Sequence, residues 1–85
     1  MLQFPDIYKE IAVLETLLKE EGLTEVANKV SDRKFISQSI FENCGSIKIT
    51  LEEISHQFKL PFNISFQVHK IIIIAQNILD SAKKR

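Results

Sequence analysis

Four consecutive isoleucines, Ile71, Ile72, Ile73 and Ile74, place the tightest constraint on how this chain can fold. Successive side chains on an α-helix turn by about 100°, so the four sweep roughly 300° of the circumference. A single packing face cannot cover them. The segment is therefore buried on several sides, or is a strand, or leaves one isoleucine for a partner. Two frames compete around it. Ile64, Phe66 and Val68 alternate with Ser65, Gln67 and His69 in the manner of a strand, whereas Ile64, Val68, Ile71, Ala75, Ile78 and Ala82 form a stripe at helical spacing. No glycine or proline interrupts that stripe, and it far exceeds the ~4–8 residues of an ordinary strand. The spacing predicts a helix from about Asn63 onward, with Ile72 and Leu79 widening the packed face and Ile73 or Ile74 left pointing elsewhere. A helix apolar on so many sides is either central to the fold or carries an apolar patch, and such patches mark interfaces.

Upstream, Pro5 and Asp6 open a first helix whose face is lined by Ile7, Ile11, Leu14 and Leu18, with Val13 and Leu17 widening it. Asp6 and Glu10 place negative charge near the positive end of the helix dipole, and Gly22 supplies the stop. Thr24 is placed to cap a short helix carrying Val26, Ala27 and Val30. Ser31 is then expected to cap a further helix, with Phe35, Ile36, Ile40 and Phe41 inward and Cys44 and Gly45 closing it. Beyond Gly45, Thr50 and Glu53 have capping-box spacing, while Ile47, Leu51, Ile54 and Phe58 share a helical face that begins earlier. Ile47 and Ile49 also alternate with polar neighbours, so 46–49 reads equally as a short strand. Pro61 disfavours helix at Leu60 and ends that element. The fold class expected is all-α, a compact bundle of four to five short helices in one domain over residues 1–85.

A chain of 85 residues has room for one domain and a modest core. Eleven basic and eleven acidic residues balance, so net charge does not favour nucleic acid. Locally the balance fails. Residues 1–25 hold six acidic side chains (Asp6, Glu10, Glu15, Glu20, Glu21 and Glu25) against two basic ones. The single cysteine, Cys44, cannot form an internal disulfide and fits a reducing compartment. Pro5 and Asp6 interrupt the N-terminus before any leader-like apolar run, and the longest apolar stretch, 71–75, is far short of the ~20 residues that span a bilayer. A cytoplasmic, membrane-free protein is expected.

Few residues offer chemistry. His56 and His69 stand apart from any Cys, Asp or Glu at metal-ligand spacing, so no metal or other cofactor is expected. No local motif joins a serine or cysteine to a base, and two glycines cannot build a phosphate cradle. Glu52 and Glu53 diverge by about 100° on a helix and cannot act as a close carboxylate pair. The reading is non-enzymatic. Thr50, Glu53, Ile54, Phe58 and Leu60 do follow the first helix and turn of a helix-turn-helix, winged-helix-like if 46–49 is a strand. The recognition helix would then begin with largely apolar residues where polar and basic ones are needed, so nucleic acid is not the favoured partner.

From Gly45 onward, the positions Gly45, Leu51, Glu52, Ile54, Phe58, Ile64, Ser65, Val68 and Ile71 give a layout that resembles the small helical immunity proteins of bacterial contact-dependent and polymorphic toxin systems. The resemblance covers roughly the last 40 residues. It implies a cytosolic, stoichiometric inhibitor that binds a toxin domain, often a nuclease with a basic cleft, and occludes its active site. On that reading Glu10, Glu20, Glu21 and Glu25 supply charge complementarity, and Ile73 or Ile74 an apolar anchor. The same glutamates also suit a solvated helix face, and the isoleucines a core. A homodimer with 71–74 as its seam answers the isoleucine problem equally well.

Overall fold

The computed structural model describes residues 6–83 and contains four helices, α1 (Ile7–Glu20), α2 (Thr24–Arg33), α3 (Ile40–Gln57) and α4 (Phe62–Lys83). Among the described residues there is no strand, and the segment 46–49 is an uninterrupted part of α3. The all-α expectation holds, with four helices and not five.

Each boundary has a local cause. The Asp6 carboxylate accepts the backbone N–H groups of Tyr8 (3.0 Å) and Lys9 (3.3 Å), filling two of the orphan donors at the start of α1. At its end Gly22 takes φ +79°, the Gly22 N–H bonds the Lys19 carbonyl, and the Leu23 N–H reaches back to the Leu18 carbonyl at 2.8 Å. This paired closure is the glycine-terminated Schellman arrangement. It turns the chain so tightly that Leu23, with no side-chain cap of its own, is the residue before α2, and Thr24 is already helical.

The next boundary departs from the sequence expectation. Ser31 does not start a helix. It lies in the last turn of α2, and its hydroxyl donates to the Glu15 carboxylate on α1. The chain then leaves helix through 34–39, and Ser39 caps α3 by accepting the Glu42 N–H. Phe35 and Ile36, expected inward, are exposed because they lie in the non-helical 34–39 segment. Phe41, also expected inward, is exposed in the first turn of α3, whose core face is set by Cys44, Ile47, Leu51 and Ile54. Nor does Thr50 cap anything: it is buried within α3, and its hydroxyl donates to the Ser46 carbonyl at 2.9 Å. Gly45, expected to close a helix, is interior to α3. Pro61 behaves as its chemistry requires. Phe58 is extended, and the Pro61 carbonyl accepts the Ser65 N–H as α4 begins.

The helices form a ring in which α1 packs on α2 and α4, and α3 packs on α2 and α4, with no close approach across either diagonal. Neighbours run antiparallel. Glu15 of α1 meets Ser31 and Lys34 at the far end of α2, Lys29 of α2 pairs with Glu53 of α3, and Glu10 of α1 meets Gln67 and Lys70 of α4. Within lie Ile11, Leu14 and Leu18 of α1, Ala27 and Val30 of α2, Ile47, Leu51 and Ile54 of α3, and Ile64, Val68, Ile71 and Ala75 of α4. The helix stripe read from the sequence around the isoleucines is thus the α4 share of the core. Among the described residues no helix is long and apolar enough to cross a membrane.

Candidate protein-binding face

The four isoleucines divide three to one. Ile71 is fully buried, Ile74 is 6% exposed, Ile72 packs partly covered against the core, and Ile73 is 60% exposed. Ile73 is not alone. Phe62 is 85% exposed and Phe66 63% exposed, and at ~100° per residue Phe62, Phe66 and Ile73 fall within about 40° of one another. The two phenylalanine rings lie 6.4 Å apart between centroids, tilted by 32°. His69 fills the gap between Phe66 and Ile73, its ring fixed by a 2.8 Å contact between Nδ1 and the Ser65 carbonyl, and exposed Asn77 follows. From Phe62 to Asn77 this outer line holds no Asp, Glu, Lys or Arg, and partly covered Asp80, which accepts a hydrogen bond from Gln76 at 2.8 Å, closes it at the far end. α4 therefore has two apolar faces, one spent on the core and one turned to solvent.

On the side where α4 meets α1, the rim is polar and tightly organised. Gln67 is buried and its Nε2 donates both to the Glu10 backbone carbonyl at 2.9 Å and to the Glu10 carboxylate at 3.0 Å. Lys70 Nζ lies 3.2 Å from the same carboxylate. The Gln67 hydrogen bond first, and the Lys70 partner second, hold the Glu10 carboxyl below its ordinary titration range. Glu10 is thus matched within the protein, whereas Glu20, Glu21 and Glu25 are exposed at the α1–α2 turn. Val13 of α1, 44% exposed, adds a further apolar side chain outside the core.

Of the residues singled out from sequence, Ile73 stands on the open face, Ile74 belongs to the core, and Glu10 stands at the rim of the face. Glu20, Glu21 and Glu25 share the end of the bundle from which α4 starts. There Glu25 and Phe58 line a shallow cavity of about 240 Å³ with Val26, Lys29 and Gln57. Phe62 and Phe66 lie outside the set singled out from sequence. Their signal was present in the same spacing rule that found the core stripe, since Phe66 and Ile73 are seven residues apart.

Elsewhere the chemistry is sparse. Among the described residues no three His, Cys, Asp or Glu side chains are placed to hold a metal ion. Cys44 is buried, and that burial pushes its thiol pKa up, away from the reactive thiolate. The segment with helix-turn-helix spacing is the second half of α3 and the turn after it, and the helix that would read bases begins with exposed Phe62, Asn63 and Phe66. Fold and face together describe a small four-helix bundle with an exposed apolar stripe, Phe62, Phe66 and Ile73, along α4. No protein family, curated protein or solved structure matches the chain.

Proposed function

We propose that the chain is a non-enzymatic protein-binding module, and that it acts as an immunity protein which docks on a toxin domain and covers its active site. The observation that carries this reading is the outer stripe of α4. Phe62, Phe66 and Ile73 expose large apolar side chains in a row on a regular helix, and such exposure disfavours the free chain unless another surface covers it. A rigid helix presenting anchors at i, i+4 and i+11 is a ready-made ligand for an apolar groove. Exposed Glu20, Glu21 and Glu25 add negative charge at the end of the bundle where the stripe begins, which speeds encounter with a basic target and orients it. Glu10 organises the rim and is not counted among the steering charges, because Lys70 already neutralises it. No cofactor is required.

If a toxin gene lies immediately upstream, as this reading expects, co-expression with its toxin domain is the test. The wild-type chain is expected to restore growth. Phe66→Asp and Ile73→Asp are expected to lose protection at equal protein levels, while Ile49→Asp, on exposed α3 surface, retains it. Absence of protection by the wild type, or full protection by both stripe variants, overturns the reading.

A further inference from the structure

We infer that, with no other protein present, the outer stripe of α4 is covered by a second copy of this chain in an antiparallel, twofold pairing. The inference rests on reading that stripe as a binding surface and names its occupant in the free protein. Three observations point to self-pairing. The first is register. If two α4 helices run antiparallel with Phe62 opposite Ile73 of the second copy, then Phe66 falls opposite His69, because both pairs centre on the same point between Gln67 and Val68. One alignment thus places every large stripe residue against a stripe residue of the other copy, as a twofold interface requires. The second is charge. The paired stretch, Phe62 to Ile73, has no Asp, Glu, Lys or Arg on its outer line, and the whole chain has eleven basic and eleven acidic residues, so copies approach without net repulsion. At the rim the twofold axis sets the Glu10–Lys70 pair, itself 3.2 Å apart, on the same side as its symmetry copy, so opposite charges face each other there.

The third is area. At ~150–250 Å² per fully buried aromatic, Phe62 and Phe66 together offer roughly 250–300 Å² at their observed exposures. Ile73 and the polar rim extend this toward, and not beyond, the ~800 Å² per partner of a standard interface. The dimer expected is therefore concentration-dependent. It assembles where the chain is abundant and yields to a partner that offers a larger or better-charged surface.

Light scattering across a concentration series is the test, supported by cross-linking. The mass is expected to rise from 9.8 kDa towards twice that value. Phe66→Asp should hold it at the monomer, with helix content unchanged and with the wild-type melting temperature at dilutions where the wild type is monomeric too, and Ile49→Asp should self-associate like the wild type. A variant carrying Phe62→Cys and Ile73→Cys should oxidise to a covalent dimer faster than Phe62→Cys alone. The two thiols stand eleven residues apart on one helix, about 16 Å at 1.5 Å per residue, so they cannot bridge within a chain, and Cys44 is buried out of reach. A wild-type monomer at about 1 mM, chosen to lie well above the ~µM range of a weak standard interface, overturns the inference. So does a dimer that survives Phe66→Asp, or a double-cysteine variant that cross-links no faster than the single one. A monomeric result leaves the inhibitor reading standing, and failed protection in cells leaves the mass series standing, so the two fail separately.

Discussion

Asn43 of α3 donates from Nδ2 to the hydroxyl of Tyr8 on α1 at 2.9 Å, joining helices that otherwise do not approach closely across the ring. The same buried amide donates to the Ser37 carbonyl at 3.0 Å and accepts the N–H groups of Ile36 (2.8 Å) and Ser37 (3.1 Å). One side chain therefore fixes the 34–39 loop to two helices. The Tyr8 ring in turn meets Phe35 with centroids 6.3 Å apart.

Replacing Asn43 with alanine strands two loop N–H groups and frees Tyr8. At about 1 kcal/mol per net hydrogen bond, the expected loss is roughly 2–3 kcal/mol for Asn43→Ala and about 1 kcal/mol for Tyr8→Phe. Urea unfolding of the two variants and their combination measures both losses and their coupling. A loss under about 0.5 kcal/mol for Asn43→Ala, the range of an indifferent surface change, would show that the amide does not hold the loop.

The two glycines should respond to alanine with opposite signs. Gly22 has φ +79°, where an L side chain costs about 1–2 kcal/mol, so Gly22→Ala destabilises by about that amount. Gly45 lies inside α3 with nothing within 4 Å of an added Cβ, so Gly45→Ala should stabilise by about 0.5–1 kcal/mol. Thermal melts of both variants decide the matter, and a shared sign would contradict the assignment of one of these positions.

Neighbouring isoleucines should differ sharply. Ile71→Ala empties a fully buried site and is expected to cost about 2–5 kcal/mol. Ile73→Ala, at a side chain mostly in solvent, is expected to stay within about 0.5 kcal/mol of wild type under dilute, monomeric conditions. Denaturant midpoints that place the two variants together would mean that Ile73 is covered after all.

Acid should act through Glu10. Its folded carboxyl titrates below the ordinary 4.5, so the stability it contributes is complete above that pH and is lost as pH falls through the lowered value. Wild type is therefore expected to lose more stability than Glu10→Gln between pH 4.5 and about pH 2. Chemical unfolding of both proteins at stepped pH reads the difference directly. Parallel acid limbs would remove Glu10 from the account.

What could be read from the sequence was whatever a few adjacent residues decide. The face of α1, the Asp6 start, the Gly22 stop and the inner stripe of α4 all follow from local spacing and backbone preference. The second helix boundary did not. Ser31 and Thr50 look like caps in isolation, but Ser31 is taken up by Glu15 and Thr50 by its own helix, while Ser39, followed three residues later by Glu42, is the cap that forms. The 34–39 loop depends on Asn43, which holds Ile36 and Ser37 from within α3 and is itself tied to Tyr8 on α1, an arrangement that no helical or strand spacing rule signals. The open face was half legible. The angular argument required one isoleucine to point away, but choosing Ile73 over Ile74 needed to know where α1 and α3 lie against α4.

Cys44 gives the bundle a built-in timepiece. The residue is 1% exposed and lies among core residues, so a thiol reagent reaches its sulfur only when α3 lifts away from its neighbours. Once the reagent is concentrated enough that alkylation outpaces reclosing, and the observed rate no longer rises with its concentration, that rate is the rate of opening. The lifetime of the closed molecule can then be followed without denaturant or label, and any protein that settles on α4 should lengthen it.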